Sequence, residues 1–196
     1  MKTPPAQSPD EVFDVVDEND RVIGQATRAE VHAKKLFHRA VHILVFDTAG
    51  RVLLQKRSMA KDTCPGLFST SCAGHVDAGE RYENAAAREL REELGIDVPE
   101  NFFRENVPLL RLPPRAETGR EHTAVYGIGN FSGTLSPNPA EIDSVKWAFP
   151  KDVDATLEKT PELFAESFRF VWNSLCRGIL LESAMQKIRE RASISA

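Results

Sequence analysis

A short segment that places three glutamates on one helical face constrains this chain more than any other feature. Residues 81–94 are rich in Ala, Glu, Leu and Arg, contain no Gly or Pro, and precede Gly95, which favours a left-handed helix cap. We therefore predict a helix over this range. Glu89, Glu92 and Glu93 fall at positions i, i+3 and i+4 of that helix. A solvated acidic face is one interpretation of such a cluster.

Helix energetics favours a second interpretation of the three glutamates. Like charges four residues apart destabilise a helix by roughly 0.2–0.5 kcal/mol, and acidic side chains near its C-terminal end oppose the helix dipole. A hard cation such as Mg²⁺ or Mn²⁺ prefers oxygen ligands and would relieve this repulsion. Gly74 and Gly79 permit a tight loop before the helix, and Arg88 is placed to balance the acids. We therefore expect a strand–loop–helix metal site.

The segment 74–96 resembles the Nudix box of the Nudix hydrolases. The box consists of Gly, five residues, Glu, seven residues, Arg-Glu, an aliphatic residue, any residue, Glu-Glu, any residue, Gly and an aliphatic residue, and this chain fills every fixed position. The resemblance implies an α/β fold, a Nudix-type α/β/α sandwich with a mixed β-sheet. It also implies that the protein uses Mg²⁺ or Mn²⁺ to cleave a diphosphate bond in a nucleoside diphosphate derivative or a similar small molecule.

The same resemblance implies roles for individual residues of the box. Glu89, Glu92 and Glu93 would be the metal ligands, and Glu92 and Glu93 would be catalytic as well. Glu80 and Arg88 would hold the loop and the helix together.

A general base is also expected, and the family does not fix its position. Glu93 is one candidate. Glu141 is the other, because residues 141–147 resemble the loop before a late strand that carries the base in some Nudix hydrolases. The alternative for Glu141 is a loop acid that caps a helix or faces solvent.

A basic segment extends the resemblance toward the subgroup that includes isopentenyl-diphosphate isomerase. Residues 55–66 are similar to the isomerases' basic segment before their Pro-Gly, and by that match Arg57 and Lys61 would contact substrate phosphates. The alternative is an exposed loop with ordinary surface cations. His75, within the box, would contact phosphate or bind a metal, or would only hydrogen-bond to the backbone.

The isomerases' catalytic cysteine is missing from this chain. They carry it immediately before their Gly-His, where this chain has Ala73, with Cys72 one residue too early. In a strand, a shift of one residue points the side chain to the opposite face of the sheet. Hydrolysis is therefore the predicted chemistry. An isomerase-like enzyme and a catalytically silent nucleotide-binding module remain the alternatives.

The isomerases also use a histidine-rich metal site, which this chain matches only in part. His38 and His75 match two of its members, and His32 is out of register by one residue. Glu121 matches one of its two glutamates, and Thr123 stands in the place of the second.

Composition limits the class of protein and of partner. The chain has 196 residues, 41% of them hydrophobic, which suits one globular domain over residues 11–196. Residues 1–10 are expected to form a disordered tail. A net charge of −4 gives no drive toward a nucleic acid polymer or an anionic membrane. Three sparse cysteines argue against disulfides, and no apolar run is long enough to span a bilayer. We expect a cytoplasmic enzyme of a small-molecule diphosphate, with a homodimer among the open oligomeric states.

The remaining pattern predicts the order of the elements. We expect an N-terminal hairpin over 11–17 and 21–26, and then a helix that opens on a capping box at Thr27 and runs to about residue 35. Strands are predicted over residues 40–46, 51–55, 67–72, 103–112, 123–131 and 145–149. Residues 113–119 should form a long mobile loop bordering the substrate site.

A C-terminal helix is predicted from residue 161 onward. Its apolar residues recur with a helical period, which indicates core packing rather than a base-binding aromatic box, and Gly178 is expected to kink or break it.

Overall fold

The computed structural model describes residues 8–176 and residue 186. Its strands are β1 (Val12–Val16), β2 (Val22–Thr27), β3 (His38–Asp47), β4 (Val52–Arg57), β5 (Phe68–Ser69), β6 (Cys72–His75), β7 (Leu110–Leu112), β8 (Glu121–Phe131) and β9 (Ile142–Ala148). Its helices are α1 (Arg28–Lys34), α2 (Tyr82–Leu94), α3 (Phe102–Glu105), α4 (Pro150–Lys159) and α5 (Glu166–Cys176). The prediction for Gly178 and most of the predicted tail lie outside the described residues.

A mixed sheet is built around β3. One edge of β3 pairs with β8 in parallel, and β8 pairs with the short β7. The other edge forks, because residues 40–43 of β3 pair with β6 while Phe46 pairs with Val52 of β4. Strand β4 continues away from the fork and pairs with β5 and β9. The fork leaves space between β6 and β4, and the candidate site lies there.

Helices cover both faces of this sheet, as the predicted sandwich requires. On one face, Val41, Ile43 and Val45 pack in the cluster that holds the apolar side of α2. On the other face, Leu44 and Phe46 pack with the aromatic side chains of α5. Each layer buries an alternate set of β3 residues, because successive strand side chains point to opposite faces.

The aromatic residues of the C-terminal helix lie in the core, as predicted. Phe164, Phe168 and Trp172 stack in a row, with ring centroids 5.1 and 5.6 Å apart. Trp172 is buried, and its indole N–H donates to Asp154 Oδ1 at 2.7 Å. Tyr126 is also buried in the core. These rings therefore stabilise the fold and are not free to stack on a base.

The structure confirms the predicted N-terminal hairpin and the predicted capping box of helix α1. Strands β1 and β2 form an antiparallel hairpin. The capping box of α1 is present, since the Thr27 side chain accepts from the Glu30 backbone and the Glu30 side chain from the Thr27 backbone. The helix ends at Lys35, whose φ of 53° is left-handed. This reversal brings α1 back over the start of β3.

Two predicted strands are wrong in extent. The range 103–112 contains helix α3 and only the three residues of β7, because Phe102 and Phe103 are both buried. A strand would send one of two consecutive side chains to the opposite face, whereas a helical turn buries both.

The range 67–72 is divided between β5 and β6, which pair with different strands. Ser71 joins the two branches at the fork. It accepts from the Val45 backbone N–H at 2.8 Å and donates to the Leu53 carbonyl at 2.6 Å.

Helix α4 was not predicted. Pro150 occupies its first turn, where the missing N–H costs nothing, and does not merely end the preceding strand. Within the described residues, every helix is too short or too polar to cross a bilayer.

Candidate active site

A cavity of about 950 Å³ lies over the polar half of the central strands. His38 and His42 point to the same face of β3, because they are an even number of residues apart. Strand pairing places Ala73 opposite His42 and Glu121 beside His38. His75 lies two residues beyond Ala73 and therefore on the same face; it ends β6 and is not a loop residue. His42, Ala73, His75 and Glu121 line the cavity.

Glu89 reaches the cavity across Gly74. A Cβ built on Gly74 would lie 2.0 Å from Glu89 Cδ and 2.1 and 2.5 Å from its two oxygens. Only a glycine therefore allows the carboxylate to occupy this position. The prediction that Gly74 and Gly79 permit a tight loop holds only for Gly79, whose φ of 75° is left-handed. Gly74 lies on β6, and its missing side chain instead makes room for Glu89.

Arg88 ties the loop before α2 to the helix. Its guanidinium donates two hydrogen bonds to the Glu80 carboxylate, at 2.9 and 3.1 Å, and one to the His75 carbonyl at 2.9 Å. It also donates to Glu89 at 2.7 Å and to Glu92 at 3.3 Å. Arg88 therefore orients the acidic residues, and it has the contacts expected from the box resemblance.

Glu93 is the innermost of the three clustered acids and lies at the fork of the sheet. It is buried, and one carboxylate oxygen accepts from Gln55 Nε2 at 3.0 Å and from the Ala73 N–H at 3.4 Å. These donors come from β4 and β6, the two branches that diverge from β3. Glu92, in contrast, is half exposed.

Burial raises the pKa of both Glu89 and Glu93, and a neighbouring carboxylate adds to it in each case. For Glu89, loss of solvent is the larger cause and the Glu93 charge the second. For Glu93, burial is again first, the nearby Lys61 opposes it and Glu141 adds to it. A divalent cation would stabilise the charged form of both carboxylates, and the space above Gly74 holds the carboxylate of Glu89.

Lys61 and Glu141 form a buried ion pair beside Glu93. Sequence reasoning placed a substrate-binding cation at 61 and a candidate base at 141 without predicting that the two would meet. Neither is an ordinary surface charge, so that alternative is wrong for Lys61, and Glu141 is not a solvent-exposed acid. Arg57 is half-buried at the cavity wall, where its guanidinium donates to the Thr63 carbonyl at 2.9 Å.

A second group of side chains, His32, His38 and His75, could hold a metal, and two of its members, His32 and His75, line the cavity. His32, His38 and His75 each offer a ring nitrogen, and these atoms lie within 4.8 Å of one another. Glu121 Oε1 lies 3.2 Å from His75 Nε2 and 3.7 Å from His38 Nε2. Burial is the main cause that lowers the pKa of His38 to about 4, and it also lowers the pKa of His75. Both rings are therefore neutral, as a metal ligand must be.

His38 supplies the strongest sign that this group fits a cation. Its Nδ1 lies 3.0 Å from the Leu36 carbonyl, which can only accept, so Nδ1 carries the proton and Nε2 carries a lone pair. That Nε2 is buried and has no hydrogen-bond partner among the described residues. A backbone carbonyl behind one ring nitrogen and an open lone pair on the other is the usual arrangement of a histidine ligand.

The expectation for His32 needs correction. The sequence comparison places it one residue out of register, yet its ring centroid lies 5.6 Å from that of His75. His32 is on α1, and the left-handed Lys35 and the two residues that follow it join that helix to β3. Such a connection can change in length by one residue without moving the helix away from the strand. The position of His32 in an alignment therefore does not determine where its side chain lies.

Sequence reasoning missed two residues that line the cavity, Arg28 and His42, and a third, Gln55, that contacts Glu93. Arg28 is buried and donates from Nη1 to His75 Nδ1 at 3.1 Å, and His42 lies opposite Ala73. For His42 and Gln55 the available signal is alternation along β3 and β4, which places a polar residue on a face that also carries apolar side chains. Residues 116–119 also line the cavity, so the predicted loop does border the site.

Comparison with protein-family models finds a NUDIX domain over residues 36–168. Among curated proteins, the chain is 36% identical to isopentenyl-diphosphate Δ-isomerase 2 of Photorhabdus laumondii over 166 residues, covering 85% of this chain and 93% of the relative. It is 44% identical over 142 residues to an uncharacterised Nudix hydrolase of Streptomyces coelicolor, covering 71% and 74% of the two chains. Isomerases and hydrolases are thus both among the similar proteins.

Comparison with solved structures agrees with the fold. The crystal structure of DR0079 from Deinococcus radiodurans matches with a TM-score of 0.65 and 28% identity, over 76% of this chain and 90% of that one. The choice between the two chemistries therefore depends on the residues of the cavity.

Proposed function

Because the chain belongs to the NUDIX domain family, whose hydrolases cleave diphosphate bonds, we propose that it is a Mg²⁺- or Mn²⁺-dependent hydrolase of a small diphosphate. The proposed substrate is a nucleoside diphosphate derivative or a similar small molecule. One observation carries the proposal: Glu89 and Glu93 converge between Gly74 and Gln55, beside Ala73 in the place of the isomerases' nucleophile.

The proposed cation ligands are Glu89, Glu92 and Glu93. A divalent ion bound there would neutralise charge on the phosphate oxygens and lower the pKa of a bound water. The support for this site is the raised pKa of Glu89 and Glu93, which reflects burial first and a neighbouring carboxylate second, together with the approach that Gly74 allows.

Two carboxylates remain candidates for the general base, Glu93 and Glu141. Glu141 is paired with Lys61 beside Glu93. If Lys61 turns to a substrate phosphate, as its proposed role requires, the Glu141 carboxylate loses this partner and is free to accept a hydrogen bond from the attacking water. Arg57 and His75, which both line the cavity, complete the proposed contacts to phosphate.

The proposed reaction adds water across one P–O–P linkage. The water oxygen bonds to phosphorus, the bridging oxygen leaves with the other phosphate, and the base accepts a proton from the water. Two phosphate monoesters result, or one monoester and inorganic phosphate.

A ³¹P NMR assay of the release of phosphate, pyrophosphate and phosphate monoesters from a panel of nucleoside diphosphates, triphosphates and dinucleotides tests this proposal. We expect release that needs Mg²⁺ or Mn²⁺, stops with EDTA and falls by at least about 100-fold in kcat for Glu93→Gln. The matched control is Glu100→Gln, an exposed glutamate outside the cavity, which should keep wild-type kcat. Retained turnover in Glu93→Gln would remove its assigned role. Nanomolar binding without turnover would favour a silent module.

An isomerase-like activity is the second candidate, and the histidine group with Glu121 is the observation that favours it. Ala73 and Thr123 weigh against it, since Ala73 stands in the place of the isomerases' catalytic cysteine and Thr123 in the place of the second glutamate of their metal site. Incubation with isopentenyl diphosphate distinguishes the two candidates. We expect no allylic product, and its formation would support the isomerase.

Two expectations about the whole protein stay proposals: a cytoplasmic location and a homodimer. Fractionation of the source cells and light scattering at micromolar concentration would test them.

A further inference from the structure

His42 is a buried histidine of the cavity that the proposed hydrolysis does not use. It is 4% exposed and lines the cavity from the middle of β3. It lies four residues after His38, beyond the group of metal-binding histidines. The polar atoms of a buried side chain normally have hydrogen-bond partners. The two ring nitrogens of His42 are therefore considered in turn.

Nδ1 of His42 has a partner that determines its proton. It lies 2.9 Å from Thr70 Oγ1, and that hydroxyl lies 3.2 Å from the Cys72 carbonyl. The carbonyl can only accept, and the hydroxyl has a single proton. Both contacts are hydrogen bonds only if Thr70 donates to Cys72 and accepts from Nδ1–H. Nε2 is then left with a lone pair and is a hydrogen-bond acceptor.

His42 faces a space that is bordered by small side chains and lies close to the reacting groups. Ala73 is directly opposite it in the β3–β6 pairing, and Ala40 lies two residues before it on the same face. The backbone N–H of Ala73 lies 3.4 Å from the Glu93 carboxylate. A group that fills the space beside Ala73 is therefore next to the proposed metal ligands, as the group attached to a bound diphosphate must be.

We propose that His42 is a specificity-determining residue whose Nε2 accepts a hydrogen bond from a hydroxyl on the group attached to the diphosphate. The inference rests on the proposed function and narrows it to diphosphates of hydroxylated groups, such as sugars, over those of hydrocarbons. Burial lowers the pKa of His42 to about 4, so the ring is a neutral acceptor at physiological pH. A site that presents a buried acceptor disfavours an analogue without the matching donor, because the acceptor loses water and gains no partner.

The tautomer of His42 can be measured without any substrate. ¹⁵N NMR of the full protein labelled at histidine, with Mg²⁺ present, should find Nδ1 protonated and Nε2 bare. The signal is assigned by its loss in His42→Asn. A protonated Nε2 would overturn the inference, because that nitrogen would then be a donor.

A matched pair of substrates tests the selectivity. Ribose 5-diphosphate and cyclopentylmethyl diphosphate share a five-membered ring and the diphosphate, and differ mainly in the ring oxygen and hydroxyls. We expect the ratio of their kcat/KM values to favour ribose 5-diphosphate, and to fall on the order of 10- to 100-fold in His42→Asn. Asn keeps an amide near Thr70 but has no atom at the Nε2 position. His42→Gln, whose amide reaches that position, should recover part of the ratio.

His122→Asn is the control, since His122 is buried on β8 with its Nε2 toward the Asp17 carbonyl and does not line the cavity. It should leave the ratio as in the wild type. A ratio that does not change in His42→Asn overturns this inference alone. No cleavage of either compound or of the wider panel by the wild type overturns the proposed function, and this inference with it.

Discussion

Substituting Gly74 by alanine should remove a metal ligand without unfolding the protein. The added Cβ would lie 2.0 Å from Glu89 Cδ, and ordinary contact begins near 3.4 Å. The Glu89 carboxylate must therefore retreat by roughly 1.4 Å, whereas metal–ligand distances tolerate about 0.2 Å. Gly74 has no left-handed φ, so alanine fits its backbone, and the clash is with the far end of a long side chain.

The expected result is a selective loss of metal affinity. We predict that Gly74→Ala weakens Mg²⁺ or Mn²⁺ binding, measured by calorimetry, on the order of 10- to 100-fold and lowers kcat/KM in parallel. The free energy of unfolding should change by less than about 1 kcal/mol. Gly24→Ala is the matched control, since a Cβ on Gly24 meets nothing within 4 Å.

A double substitution separates this reasoning from a backbone effect. Glu89→Ala removes the group that the new Cβ would strike, so Gly74→Ala with Glu89→Ala should bind metal as Glu89→Ala does alone. Metal binding by the double variant that is far weaker than that of Glu89→Ala would refute the reasoning. Wild-type metal affinity in Gly74→Ala would refute it as well.

Three further predictions concern stability. Thr27→Ala removes the side-chain half of the α1 capping box and should lower the free energy of unfolding by about 1 kcal/mol in urea titrations, whereas an unchanged midpoint would mean that the cap adds nothing. Phe168→Ala opens a cavity in the aromatic row beside Trp172 and should cost about 3–5 kcal/mol by the same measurement, with a loss under about 1 kcal/mol contradicting the packing. Burial lowers the pKa of His42 from 6.5 to about 4, so that the unfolded chain takes up a proton at this residue at a higher pH than the folded protein does. The free energy of unfolding should therefore decline as the pH falls from about 6.5 to about 4. That decline should be on the order of 3 kcal/mol smaller in His42→Asn, and equal pH profiles would contradict it.

The elements that the sequence predicts well are those with local determinants. Helix α2 has an unbroken run of helix formers and ends at Gly95, whose φ of 67° is left-handed. The capping box at Thr27 likewise starts α1. These signals lie within one turn of the residues that they organise, and so they do not depend on the tertiary fold.

The features that the sequence misses are set by contacts between distant segments. The fork at Ser71 exists because β5 and β6 pair with different strands, and nothing in residues 67–72 indicates where the chain changes partner. The Lys61–Glu141 pair joins residues 80 positions apart. His32 joins the other histidines only because Lys35 reverses the chain, which a count of positions along the sequence does not capture.

The three clustered glutamates of the box were predicted only in part, and so they fall between the local signals and the long-range contacts. Their spacing identifies them as a group, yet it treats Glu89, Glu92 and Glu93 as equivalent. The structure distinguishes them, since Glu93 is buried and Glu92 is half exposed. Gln55 and Ala73, which contact Glu93, come from other strands, and so the difference could not be read from the helix.

The central claim is that this cavity cleaves a diphosphate by attack of water at phosphorus. ³¹P NMR in water enriched in ¹⁸O tests it most directly, with the wild type, Mg²⁺ and the diphosphate panel including isopentenyl diphosphate. We predict a phosphate product that carries one ¹⁸O and that is absent in Glu93→Gln. Intact diphosphates alongside an allylic isomer, or a product with no ¹⁸O bound to phosphorus, would contradict the account.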